Sequence, residues 1–204
     1  MTVTEIATAR LKTGVSSKDP GIVSALAKCK NVMEDFTGYP FHYLQQVEDP
    51  TIFIILGEWT SVENHNTSFK DTDSYNSLVS LLDPYMAVQS LIHIDVDKSK
   101  LPLDAPVISI GWHVVGSDKM AQFRITFADV KPILDRYVTW RQKPAGGWRV
   151  EEREDRDGEY VLFSGWTNVD EHMGFAKTEG FEKYKGIMQY LNGVQVKHAK
   201  VLPL

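Results

Sequence analysis

The sequence predicts an α+β chain of two tandem ferredoxin-like βαββαβ modules whose sheets face each other as a barrel within one polypeptide. Three observations carry that prediction. GEWTSVENH at 57–65 returns as SGWTNVDEH at 164–172, so the phrase from Trp59 to His65 recurs from Trp166 to His172 at an offset of 107. The echo extends on both sides of the phrase: TIFIILGEW at 51–59 parallels EYVLFSGW at 159–166, and AVQSLIHIDV at 87–96 parallels GVQVKHAKVL at 193–202. Finally, a four-stranded sheet with helices on one face leaves its other face open, and a second copy in the same chain supplies the cover.

Each module reads in the same order. The opening strands, 3–12 and 106–115, alternate apolar and small residues with a period near two, as in Ile108, Ile110, Trp112 and Val114. A helix follows in the first module, where Ile22, Leu26, Cys29, Met33 and Phe36 recur at three- and four-residue steps. Asp19-Pro20 signals its start and Gly38 its stop. Its counterpart keeps the period through Phe127, Val130, Ile133, Leu134 and Tyr137, with Pro132 predicting a start only near that residue. Strands at 41–48 and 51–58, and again at 148–155 and 159–165, form hairpins across EDP and DRDG turns. Thr60-x-x-Glu63 and Thr167-x-x-Asp170 then open a second helix in the manner of a capping box. Closing strands are expected at 87–96 and 193–202. The expected division is a first module at 1–97, a linker at 98–105 within the Pro- and charge-rich DVDKSKLPLDAP, and a second module at 106–204.

Composition narrows the function classes. Of 204 residues, 43% are hydrophobic and 24% charged, an ordinary globular balance. Net charge is −5 and resides in the first half: residues 1–103 hold 8 Lys/Arg against 13 Asp/Glu, and residues 104–204 hold 14 of each. Neither half is basic, so no nucleic-acid footprint and no attraction to an anionic membrane is expected. Apolar runs such as TIFIILG are strand-sized, no secretory pattern opens the chain, and the single Cys29 suits a reducing compartment; a cytoplasmic location is expected. The sequence leaves monomer and homodimer equally open.

The repeated pattern Trp-x-Ser/Asn-Val-Glu/Asp-x-His, followed by Phe, Thr-Glu-Gly-Phe and Tyr, is clearest in GWTNVDEHMGFAKTEGFEKY at 165–184. It resembles the antibiotic-biosynthesis-monooxygenase modules of the dimeric α/β-barrel superfamily, most of all their tandem, fungal-like versions, and the resemblance covers nearly the whole chain twice. It implies a small enzyme without cofactor, acting on an aromatic or polyketide-like molecule by oxygenation, cyclisation or isomerisation. A non-catalytic small-molecule-binding or stress-related barrel is the alternative, because one fold carries many functions.

Candidate site residues follow from chemistry. His65 and His172, expected in the first turn of the second helix, are suited to stay neutral and act as bases, or else pack the corner against Trp59 and Trp166. His93 and His198 form a second near-equivalent pair, and His113 is an unpaired candidate. Trp112, Trp166, Trp59, Tyr43, Tyr75 and Tyr184 suit an aromatic-lined pocket, although such spacing also describes plain core; Arg124 could neutralise an enolate. No Gly-x-Gly-x-x-Gly lies between a strand and a helix, no metal-ligand spacing occurs, and no His stands late in the second helix where the haem-degrading branch needs one. No cofactor and no metal are therefore expected. Only one working pocket is expected, since the halves have diverged: Thr8 stands where Trp112 stands, and Ala9 where His113 stands. The second module is favoured, with His172 as base, Trp112 or Trp166 as stacking platform and Tyr184 or Arg124 as polar partner. A Trp112 that plugs its own pocket would move the site to the first module around His65, Tyr43 and Tyr75.

Overall fold

The computed structural model describes residues 2–204 and resolves the chain into two compact units. The first runs to Lys98 and also takes the last four residues, Val201–Leu204; the second is Ser99–Lys200. No helix among the described residues is long and apolar enough to cross a membrane.

The first unit runs β1 (Val3–Leu11), α1 (Pro20–Thr37), β2 (His42–Gln46), β3 (Ile52–Trp59), a π-helical turn (Asn64–Phe69), α2 (Asp73–Leu82) and β4 (Met86–Ile94). Its sheet order is β4-β1-β3-β2, antiparallel throughout, which is the split βαβ arrangement. The start of α1 is written in its sequence. The Asp19 carboxylate accepts from the Gly21 N–H at 2.7 Å, Pro20 takes the first turn, and Gly38 closes the helix in the left-handed region at φ 74°. The stripe Ile22, Leu26, Cys29 and Met33 packs on Ala7, Ala9, Phe53 and Ile55 of the sheet. β3 is buried at every position, on both of its faces.

The second unit repeats the order with β5 (Val107–Val115), α3 (Met120–Tyr137), β6 (Ala145–Trp148), β7 (Gly158–Trp166), α4 (Val169–Phe175), α5 (Glu179–Tyr184) and β8 (Leu191–Val201). Its sheet order is β8-β5-β7-β6. Val3 lies opposite Trp59 and Val107 opposite Trp166, so β1 and β5 superpose at an offset of 104 and the equivalences Thr8/Trp112 and Ala9/His113 stand.

Three local expectations need correction. α3 starts at Met120 and carries Pro132 inside it, because Phe123, Phe127, Val130 and Leu134 bury one continuous stripe on either side of the proline. That burial outweighs one missing backbone bond. β6 is four residues at 145–148, ahead of the predicted 148–155; the charged stretch after it makes an ion network instead, in which Arg149 and Arg153 both reach Glu159 and Arg153 also holds Asp155. The second helix of each module is broken in two. In the second unit Asn168, one residue after the predicted Thr167, caps α4 by accepting from the Glu171 N–H at 2.9 Å, and Glu171 reaches back to the Thr167 N–H at 2.7 Å. α5 then starts afresh on Thr178, as α2 does on Thr72.

Candidate functional site

Each unit holds a cavity between its sheet and its helices, and the repeated phrase builds the cavity wall. In the first unit Trp59 ends β3 fully buried, and the His65 ring lies flat on it, 4.1 Å between centroids and 6° between planes. His65 Nδ1 is 2.8 Å from Nε2 of His93 on β4. The second unit keeps the arrangement: His172 Nδ1 is 2.7 Å from His198 Nε2, and His172 packs on the buried Trp166 at 4.8 Å. Two neutral imidazoles satisfy each other in this way when one donates and the other accepts. His93 and His198 occupy the same register, paired across the sheet with Glu5 and Ser109 respectively. A strand-to-helix corner fixed by a Trp and a cross-strand His is thus common to both modules.

The residues paired with those histidines differ. Glu5, 4% exposed, accepts from Trp59 Nε1 at 2.5 Å and lies 3.7 Å from His65 Nδ1. In the second unit the same indole position, Trp166 Nε1, donates to the Ser109 and Ser164 hydroxyls at 3.0 and 3.1 Å, and these are 2.7 Å apart. Burial pushes the Glu5 carboxyl up to about 7, against the lowering influence of the Trp59 hydrogen bond and of the His93 and Lys70 charges. Nothing in the repeat marked Glu5, since the two opening strands echo each other only weakly. The signal available was a carboxylate inside an apolar strand, at the point where the other copy has Ser109.

The first cavity is the larger, about 520 Å³ against about 250 Å³. Its wall includes Glu5, Tyr43, His65, Lys70 and Tyr75 among apolar side chains. Among the described residues the buried Tyr43 hydroxyl has no hydrogen-bond partner, and burial holds it protonated by raising it well above its ordinary value. The second cavity takes Ser109, His113, Ser164, His172 and Tyr184. His113 lies over Gly111, where a Cβ would come within 2.9 Å of its ring; burial lowers this imidazole, with the Tyr160 carbonyl bond opposing, and keeps it neutral. Burial likewise pushes the Tyr184 hydroxyl above its usual range.

The structure therefore brings together His65, Tyr43 and Tyr75 in one cavity and His172, His113 and Tyr184 in the other. Four expected ligand contacts lie elsewhere. Trp59 and Trp166 are fully buried behind the histidines, with no face left for a ligand to stack on. Trp112, by strand alternation, is on the face of β5 opposite His113, so it neither lines nor plugs the cavity. Arg124 is exposed and stacks over Trp148 at 4.2 Å. Among the described residues no group of three His, Cys, Asp or Glu side chains is placed to hold a metal ion.

No protein-family model matches the chain, and no curated protein matches it. Solved structures do resemble it over its whole length. A Fusobacterium nucleatum protein provisionally described as a monooxygenase superposes with a TM-score of 0.66 at 10% identity, over 99% of this chain and 93% of that one. An anthrone oxidase-like protein gives 0.66 at 7%, over 98% and 92%. A mutant chlorite dismutase from Candidatus Nitrospira defluvii gives 0.64 at 9%, over 99% and 92%. At such identities the likeness shows the fold: α+β, with the tandem βαββαβ order.

Proposed function

We propose that the chain is a small-molecule enzyme of oxygenase type that binds a flat, largely apolar, enolisable compound in the cavity of its first module. The observation that supports this most is the pair Glu5 and His65 in the wall of a cavity of about 520 Å³, backed by His93 at 2.8 Å from His65, with the buried Tyr43 hydroxyl in the same wall. An acid–base cluster of this kind removes a proton, and an oriented hydroxyl steadies the oxyanion that results. Oxygenation, cyclisation and isomerisation all proceed from that carbanion. Oxygenation ranks first because proteins named as a monooxygenase and as anthrone oxidase-like share the fold. The chemistry asks for no resident cofactor, since a carbanion can itself reduce oxygen. The site is assigned to the first module rather than the second, because the first sets the Glu5 carboxylate beside its histidine pair where the second has Ser109, and its cavity is roughly twice the size.

A second reading is sequestration without chemistry. It draws on one observation, that the Trp–His–His corner occurs in both modules with near-identical spacing and so serves the fold in each. Oxygen uptake by the full chain separates the two. With a panel of enolisable polycyclic ketones, uptake by the wild-type chain and its loss in Tyr43→Phe supports the enzyme; tight binding with neither oxygen uptake nor product leaves sequestration.

A further inference from the structure

The two modules answer the same structural need in different ways. Each must satisfy a buried indole N–H at the end of its third strand. The second module does so with the neutral hydroxyls of Ser109 and Ser164 at 3.0 and 3.1 Å. The first does so with one carboxylate oxygen of Glu5 at 2.5 Å, opposite Gly57, where the second module has Ser164 opposite Ser109. Burying a carboxylate costs far more than burying a hydroxyl. The second module shows that the fold does not require one. An expensive group that the architecture can do without, set in a cavity wall, points to chemistry.

We propose that Glu5 is the group that takes the ligand's proton in the first module, and that Ser109, in the same register, leaves the second module without that carboxylate. The inference rests on the reading of the first cavity as an enolising site and names its base. Geometry favours Glu5 over His65. The His65 Nδ1 already faces His93 Nε2 at 2.8 Å, and the flat face of its ring is spent on Trp59. The groups facing Glu5 are Trp59 from β3, His65 from the π-helical turn, His93 from β4 and Tyr43 from β2, with the Lys70 charge nearby. In the step itself a ligand C–H bond α to a carbonyl breaks and its electron pair delocalises onto the carbonyl oxygen. The proton forms an O–H bond on Glu5, whose negative charge passes to the ligand enolate, and the Tyr43 hydroxyl donates to the new oxyanion. A carboxyl raised by burial to about 7 is basic enough to accept the proton near neutral pH and remains partly ionised there. His65 and His93 act as positioning residues, holding the indole and the carboxylate in place.

Two measurements on the full chain test this. The first is pH-difference infrared spectroscopy without ligand. The expected result is a protonated-carboxyl stretch that disappears with a midpoint near neutral pH, absent from Glu5→Gln and retained in Ser109→Ala. No such band in the wild type overturns the proposal and leaves the enzyme reading standing. The second follows proton–deuterium exchange at the activated CH₂ of 2-tetralone by NMR. The wild-type chain should accelerate exchange, and Glu5→Gln should lose about 100-fold of that acceleration while still binding the ketone. Glu5→Ser, which installs the second module's residue, serves as the second variant should Gln impair folding, and the same loss is expected. Exchange at the wild-type rate in a folded Glu5 variant overturns the assignment of the base alone. A wild-type chain that does not accelerate exchange overturns both the base and the enolising site.

Discussion

At the scale of single residues, burial decides what Glu5 and Tyr43 contribute. The Glu5 carboxyl is raised to about 7 in the folded chain from an ordinary 4.5, so between those values the folded state binds more protons than the unfolded one. Stability from this group is therefore greatest below the unfolded value and is lost as pH rises through about 7, by on the order of 3 kcal/mol at most. Other groups act in the opposite sense: burial, helped by the Lys98 charge, lowers His42 to about 4, which favours the folded state as pH rises. The informative quantity is thus the difference between two chains. Glu5→Gln should gain stability relative to the wild type between pH 5 and 8, read as a growing gap in urea midpoints; a constant gap would show that Glu5 does not titrate there. Tyr43→Phe removes a buried hydroxyl that has no partner among the described residues and should stabilise the chain by about 1 kcal/mol while weakening ligand capture. A destabilised Phe variant would mean that the hydroxyl is satisfied in solution.

At the scale of elements, the corner after each third strand is the structural unit that repeats. Trp59 and Trp166 close β3 and β7, and the histidine six residues on pins the following turn to the last strand of the module. The neighbourhoods have been rebuilt around that corner in concert. In the first module Glu5 faces Gly57 and the Phe41 ring occupies the space above the glycine, so close that a Cβ there would lie 1.9 Å from the ring. In the second module two serines face each other instead. The exchange at Gly57 should therefore be costly. Gly57→Ser, which writes the second module's residue into β3, should cost about 1–3 kcal/mol by overpacking against a fully buried Phe41. A cost under 0.5 kcal/mol in a denaturant titration would show that Phe41 moves aside freely.

For the molecule as a whole, duplication supplies two cavities on one plan, of which one carries the carboxylate. Removing each histidine in turn measures the division of labour. His65→Ala should reduce ketone exchange by at least 100-fold by unseating Glu5 and Trp59, whereas His172→Ala should leave it within about threefold of wild type. Equal, complete loss in both variants would defeat the assignment of a single working cavity, provided that both remain folded by circular dichroism. Full activity in both would return the histidines to a purely structural role.

The repeat itself, the βαββαβ order, the Asp19-Pro20 start of α1 and the pairing of Trp59 with Trp166 were legible in the residues, because hydrophobic period, caps and turns are local properties. The fold also followed from them, since a duplicated split βαβ has few ways to bury its strands. Other features were settled only by tertiary contacts. Pro132 sits inside α3 because packing on both sides of it outweighs a local breaker, and the second helix divides because His65 and His172 must turn inward to meet a strand more than twenty residues away. Strand alternation relative to the cavity, which no single strand reveals, turned Trp112 away from the second cavity and His113 toward it. Glu5 gained its meaning in the same way: an acid in an apolar strand is an anomaly in sequence, and becomes a candidate base only once folding sets it against Trp59, His65 and His93, out of reach of bulk water.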